Sequence, residues 1–248
     1  MARFSGKRVL VTGGTNGIGL AGARRLADEG AQVIVTGTNA ERLESTRAAI
    51  PGVLAWSNDA GAPDTGTTLA AQLAGTSTDT GLDGLWLNAG YADIAPVGDI
   101  TAEFFDRMMA VNVRAIFLHI AALAPHLNDG ASIVVTSSTG SVEGSPVATV
   151  YAATKGAIEA AARGWATALA ERNIRVNTLV PGNIDTDFRR FMDDDTRDKF
   201  NREVVGRVPL RRAGTPDEAA AVALFLLSTD AAYVTGARYF ADGGLSKR

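Results

Sequence analysis

Tyr151 and Lys155 stand four positions apart in the segment VYAATKGA, and a helix would set both side chains on one face. An isolated phenol has a pKa of about 10 and is ionised to roughly one part in a thousand at neutral pH, so alone it is a poor base. A neighbouring ammonium favours the phenolate and draws that pKa toward the working range. The pair therefore suits proton exchange with a substrate oxygen, although such a spacing also describes a packed ring beside a solvated charge. A second stretch, TGGTNGIG at residues 12–19, spaces three glycines, Gly13, Gly17 and Gly19, between a strand-like run and a helix-like one. Glycines there permit a tight turn, close approach to a pyrophosphate and tight packing of the following helix, whose first N–H groups face the phosphate. A glycine-rich turn with no ligand is the plainer alternative, and its place between the first strand and first helix favours nucleotide binding.

Other chemistries have little to work with. The chain has no cysteine, which removes disulfides, thiolate chemistry and Cys-ligated zinc. Its two histidines, His119 and His126, both lie in the apolar segment AIFLHIAALAPHL and read as structural or surface residues, so no metal site is expected. A net charge of −3 gives no electrostatic case for nucleic acid or an anionic membrane surface. Hydrophobic content of 46% with 21% charge describes a soluble globule. The start, MARFSGKRVLVTGG, has no signal-peptide core and no long uninterrupted apolar window follows, so the expected place is the cytoplasm.

The elements that must position these residues recur with a regular rhythm. β-Branched runs at 8–12, 32–36, 52–56, 83–88, 132–138, 174–180 and 237–241 alternate with segments of helical period, such as GIGLAGARRLADEG and the stretch 148–173. The Gly/Thr-rich 75–81 reads as a loop. Alternation implies parallel strands joined by right-handed crossovers. The expected fold is a single α/β domain over 1–248, a Rossmann-type doubly wound parallel sheet of seven strands with helices on both faces. Ligands of such sheets bind beyond the carboxyl ends of the strands. Beyond the fourth run stands NAG at 88–90, beyond the fifth TSSTG with Ser138, and beyond the sixth PGNIDT at 181–186.

Taken in order, TGGTNGIG, NAG, Asn112 in AVNV, Ser138, YAATK, PGNIDT and YVTGARYFADGG resemble the short-chain dehydrogenase/reductase family from about residue 5 to residue 244. One departure is visible: Leu87 stands where relatives commonly carry a first asparagine before Asn88, a position that mostly stabilises the sheet centre. The resemblance implies that Tyr151 exchanges a proton with a carbonyl or alcohol oxygen while a hydride moves to or from a nicotinamide. It further implies that Ser138 holds the same oxygen, that Lys155 also reaches the nicotinamide ribose, and that Asn112 supports a water-linked proton path. Gly13, Thr15, Asn16, Gly17, Ile18 and Gly19 would line the pyrophosphate. Asp59 and Ala60 would meet the adenine, and Asn88, Ala89 and Gly90 its ribose. Pro181, Gly182, Ile184 and Thr186 would contact the nicotinamide end. The function expected is ketone reduction or secondary-alcohol oxidation on a small molecule, with a catalytically silent nucleotide sensor or scaffold on the same fold as the alternative.

Cofactor choice turns on VTGTNAER after the second run. NAD relatives usually place a carboxylate where this chain has Gly37. The arginine typical of NADP relatives is also missing, with Thr38 in its place and Asn16 replacing a basic residue of the glycine loop. Thr15, Thr38, Asn39 and Arg42 remain to receive a 2′-phosphate, which favours NADP(H) with NAD(H) as the alternative. A capping box of Thr38 with Glu41 is the plainer reading of that loop. Tyr91 to Val97, Thr139 to Val150 and a lid over 183–208 form the expected pocket wall, apolar through Val142, Pro146, Val147, Val150 and Phe188. Arg189, Arg190 and Asp193 to Asp195 in the lid read as a solvated helix face. The resemblance implies a homotetramer built on helices around 101–124 and 149–172.

Overall fold

The computed structural model describes residues 2–76, 81–189 and 191–246; Arg190 and most of the expected 75–81 loop lie outside the described residues. Seven strands form one parallel sheet: β1 (Arg8–Thr12), β2 (Gln32–Gly37), β3 (Leu54–Ser57), β4 (Leu82–Leu87), β5 (Leu127–Thr136), β6 (Arg175–Pro181) and β7 (Arg238–Ala241). Their order is β3-β2-β1-β4-β5-β6-β7, so the sheet reverses direction of growth at β1. The crevice between β1 and β4 is therefore the switch point where such sheets bind ligands.

Alternate strand residues serve opposite faces, as the pleat requires. On one face Val9, Val11, Val33, Val35 and Trp86 pack with Ala23 and Leu26 of α1 (Gly17–Asp28) and with Ala220, Ala223 and Leu224 of α9 (Pro216–Leu227). On the other, Leu10, Ile34, Leu85 and Ile133 meet α3 (Thr65–Ala74), α5 (Ala115–Leu123) and α7 (Thr149–Ala168). Burial on both faces explains why the strands read as continuous apolar runs. The helix α9 begins with a full capping box, Thr215 and Glu218 each bonding the other's backbone N–H, with Pro216 at its first position.

Several boundaries differ from those expected. The third strand starts at Leu54 and the fifth at Leu127, because Leu82 pairs with Leu127 ahead of a register shift. The expected 101–124 helix is three pieces, α4 (Ala102–Met109), a π turn over Ala110–Arg114, and α5. The expected 149–172 helix ends at Ala168 and tightens into a 3₁₀ turn at Ala170–Arg172. Between β2 and α2 (Ala40–Ala49), Asn39 rather than Thr38 is the cap: its side-chain oxygen accepts from the Arg42 N–H. The run Ala102–His126 is long and apolar enough by composition to cross a membrane, yet its Ile116, Ile120 and Leu123 face the sheet core.

Candidate active site

The glycine turn, the fourth strand's end and the lid's first residues meet at the switch point. Gly13 has φ 65° and Gly17 φ 52°, both in the left-handed region that favours glycine. A Cβ on Gly13 would lie 2.9 Å from the Ala89 Cα, and one on Gly17 3.2 Å from Thr186 Cγ2. Asn88 ties the crevice together: its Nδ2 donates to the Gly13 carbonyl (3.2 Å), its Oδ1 accepts from Thr136 Oγ1 (3.2 Å), and its N–H donates to Thr12 Oγ1 (3.0 Å). Leu87 beside it is buried in the core, so the departure at that position leaves the sheet centre filled. The helix α1 starts at Gly17 with no acidic residue in its first turn and no side-chain cap, leaving its N-terminal N–H groups toward the crevice. A glycine cradle against an uncapped helix start fits a dinucleotide pyrophosphate.

Around the cradle, Ile18 enters α1, Pro181 ends β6, and the Gly182 N–H donates to the Ala241 carbonyl (3.1 Å). Ile184 is buried and bridges to Gly214. Asp59 and Ala60 follow β3, where Asp59 Oδ1 accepts from the Gly61 N–H (2.8 Å) in a tight turn. Thr15 touches the end of β2, since a Cβ on Gly37 would lie 2.7 Å from its Oγ1. Asp187, from the lid, reaches back over the glycine turn, with its Oδ2 3.5 Å from Asn16 Nδ2 and 3.9 Å from the Arg42 guanidinium.

Tyr151 and Lys155 lie one turn apart on α7. The Lys155 ammonium sits 5.6 Å from the centre of the Tyr151 ring and donates to the carbonyl of Thr136, the last residue of β5 (3.0 Å). Burial pulls the Lys155 pKa down to about 8, while the Glu159 carboxylate one turn further on opposes the shift. Ser138 follows β5, its Oγ accepting from the Gly140 N–H (3.1 Å). A Cβ on Gly140 would lie 3.2 Å from the Tyr151 ring and 3.4 Å from Ser138 Oγ, so the hydroxyl and the ring flank one backbone position.

Asn112 sits in the π turn, an element that often marks functional positions. Its Oδ1 accepts from the Tyr91 N–H and its Nδ2 donates to the Tyr91 carbonyl, both at 2.8 Å, with Thr154 Oγ1 at 3.2 Å on the same amide. A Cβ on Gly90 would lie 3.5 Å from both Asn112 Oδ1 and Lys155 Nζ. Ser138, Tyr151, Lys155 and Asn112 thus surround one crevice, although Asn112, expected to support a water-linked proton path, bonds directly to the Tyr91 backbone and Thr154.

Phe188 stands over this crevice, 6.3 Å ring to ring from Tyr151, and the two wall loops are bonded through the Ala95 N–H and the Val147 carbonyl (2.9 Å). A cavity of about 890 Å³ lies to one side between α1, α9 and the lid helix α8 (Asp194–Arg207). Its lining includes Asn16, Gly17 and Thr186 but not Ser138, Tyr151 or Lys155, so it flanks the cradle and not the reacting groups. Asp193 caps α8 and Arg197 pairs with Asp194, as a solvated face does. Sequence reading passed over Glu159, whose only signal is its place four residues after Lys155 on the buried stripe of α7.

With this fold and crevice, the chain belongs to the short-chain dehydrogenase/reductase family, oxidoreductases that bind nicotinamide dinucleotides. A family model described as enoyl-(acyl carrier protein) reductase matches residues 13–246. The glucose 1-dehydrogenase of Gluconobacter oxydans is 36% identical over 98% of this chain and 93% of its own. The 2-(S)-hydroxypropyl-CoM dehydrogenase 3 of Xanthobacter autotrophicus is 34% identical over 98% of each chain. The solved structure of levodione reductase superposes with a TM-score of 0.91 at 32% identity, covering 99% of both chains.

Proposed function

We propose that the protein interconverts ketones and secondary alcohols with NADP(H) in preference to NAD(H). The observation that carries this reading is the meeting of Tyr151, Ser138 and Lys155 at one crevice, with the lysine ammonium 5.6 Å from the tyrosine ring. The nicotinamide supplies the hydride in reduction and takes it in oxidation. In the reductive direction Ser138 donates a hydrogen bond to the carbonyl oxygen and Tyr151 gives that oxygen its proton; in oxidation the phenolate takes the proton back. Lys155, buried and held by the Thr136 carbonyl, keeps a positive charge beside the phenol. Asn112 fixes the Tyr91 backbone that borders the crevice, and through it the wall facing the substrate.

Exposed apolar side chains on the walls, Ile94, Val147 and Phe188, suit an uncharged, largely apolar carbonyl substrate. The NADP(H) preference rests on Gly37, where NAD relatives place a carboxylate, and on Arg42 in the first turn of α2, which a 2′-phosphate would share with Asp187. A homotetramer is the assembly we assign, since Phe105 and Phe117 of the α4–α5 face are exposed and Phe117 stacks edge-on with Trp165 of α7 (4.9 Å).

Tyr151→Phe tests the reading, because it keeps the ring and removes the transferable proton. The variant should bind cofactor as the parent does and lose far more than tenfold in kcat/KM, that is, more than about 1.4 kcal/mol. A smaller loss overturns the assignment. Cofactor binding by the parent without turnover on any ketone of a broad panel would favour a nucleotide sensor.

A further inference from the structure

A buried carboxylate fastens both ends of the turn that carries Ser138 to the helix that carries Tyr151, beside the bond from Lys155 to the Thr136 carbonyl. Glu159 is only 5% exposed. One of its oxygens, Oε1, accepts from Ser137 Oγ (2.6 Å) and from Ser141 Oγ (2.8 Å), the residues on either side of the Ser138 turn. The other, Oε2, accepts from the Arg238 guanidinium on β7 (3.0 Å). A carboxylate removed from water is tolerated only when it is paired and hydrogen-bonded, and here three donors from β7 and both ends of one turn supply that. Ser141 Oγ also lies 2.9 Å from the Ser138 carbonyl, so its one proton is shared between the turn's own backbone and Glu159.

Backbone bonds alone leave the turn held on one side. The Ser137 N–H donates to the Leu179 carbonyl (2.8 Å) and the Thr139 N–H to the Pro181 carbonyl (3.0 Å), both on β6. Neither links the turn to α7. Glu159 does, two helical turns beyond the half-buried Tyr151 on the same side of the helix. Because α7 is a regular helix, fixing the turn to Glu159 fixes the separation of the Ser138 hydroxyl from the Tyr151 phenol.

The geometry points to Glu159 as a positioning residue that sets the Ser138 hydroxyl against Tyr151 through Ser137 and Ser141, and this rests on the reading that Ser138 and Tyr151 share the substrate oxygen. Arg238 completes the charge of the buried group. A displacement of the order of 1 Å at a reacting group is enough to cost about a hundredfold in rate.

The test is a double-mutant cycle with Ser138→Ala, read in kcat, KM and cofactor Kd. Glu159→Ala should lower kcat about ten- to hundredfold and leave the cofactor Kd within about twofold. Glu159→Gln, which keeps an acceptor for both serines, should recover most of that loss, whereas a group serving only as the partner of Arg238 would not be rescued by an uncharged amide. In the Ser138→Ala background Glu159→Ala should cost less than about threefold, since its effect passes through a hydroxyl already gone. The pair Ser137→Ala with Ser141→Ala leaves the ion pair intact and should reproduce Glu159→Ala, which keeps the test available if Glu159→Ala does not fold. Full multiplicative loss in the Ser138→Ala background, or parental kcat in both Glu159→Ala and the serine pair, overturns the inference while the ketone-reductase reading stands. Parental kcat in Ser138→Ala overturns that reading and this inference with it.

Discussion

Thr15 and Gly37 occupy space that only one of them can fill. A Cβ at position 37 would lie 2.7 Å from Thr15 Oγ1 and 2.9 Å from its Cγ2, but 3.4 Å from its Cβ, an ordinary contact. A carboxylate at position 37 therefore requires Thr15 to move or lose its outer atoms. Thr15→Ala with Gly37→Asp should lower the ratio of kcat/KM for NADPH over NADH by at least about tenfold from a parental value above one, because the new carboxylate accepts from the ribose and repels the 2′-phosphate. Gly37→Asp alone should weaken both cofactors through crowding. A parental ratio below one, measured with one good ketone, would sink the NADP(H) preference. The shared face of Tyr151 and Lys155 was legible in the sequence because a four-residue spacing on a helix needs no tertiary information; the role proposed for them came from the motifs around the pair and the resemblance they carry. Glu159 was not legible, since a glutamate on a helix reads as solvated; its burial depends on Ser137 and on Arg238, a residue 79 positions away.

His119 joins three elements and carries the molecule's response to acid at their junction. Its Nε2 lies 2.9 Å from Thr65 Oγ1, and that hydroxyl spends its one proton on Asn58 Oδ1 (2.8 Å), so the imidazole nitrogen is the donor. The Asn58 amide returns to the Thr65 carbonyl (3.0 Å), closing a buried link between the end of β3, the start of α3 and α5. Burial pulls the His119 pKa down to about 4, below the ~6.5 of an unfolded chain. The unfolded state thus takes up a proton first as pH falls. Stability from this group is complete above pH ~6.5 and is lost on descent toward pH 4, with about 2 kcal/mol gone by pH 5. Urea unfolding at pH 7 and pH 5 should record that increment in the parent and not in His119→Gln, which keeps a donor for Thr65 and does not titrate; equal losses in both would exclude the mechanism. Strand existence could be read from short apolar runs, β-branched in β1, β2, β5 and β6, and from their alternation with helical segments. The π turn at Ala110–Arg114 could not, because AVNV has ordinary helical residues and its extra residue per turn is visible only in the backbone.

At the scale of the whole molecule, the parallel strands bring the segments expected to hold cofactor and substrate to the carboxyl end of one sheet. The alternation of runs implied that arrangement before any coordinate did, because parallel strands leave their carboxyl ends together. Assembly was less legible: small residues along α7 suit helix packing on the sheet as well as on another subunit. Phe105 and Phe117 remain 43% and 45% exposed on α4 and α5, which supports the assembly proposed on that face. Light scattering should give about four times the 25.8 kDa chain mass, and Phe117→Arg should shift the population to smaller species. A parent that scatters as a single chain at micromolar concentration would reject the tetramer.

The bond from the Ala95 N–H to the Val147 carbonyl makes the two walls of the crevice a single deformable unit. One wall hangs from the Tyr91 backbone that Asn112 clamps, and the other descends from the Ser138 turn that Glu159 holds. Substitutions on the two walls of this chain should therefore be non-additive: a bulky replacement near Ile94 changes what is tolerated near Val147, and the reverse. Combinatorial libraries that randomise both walls at once sample shapes that successive single-site searches pass over.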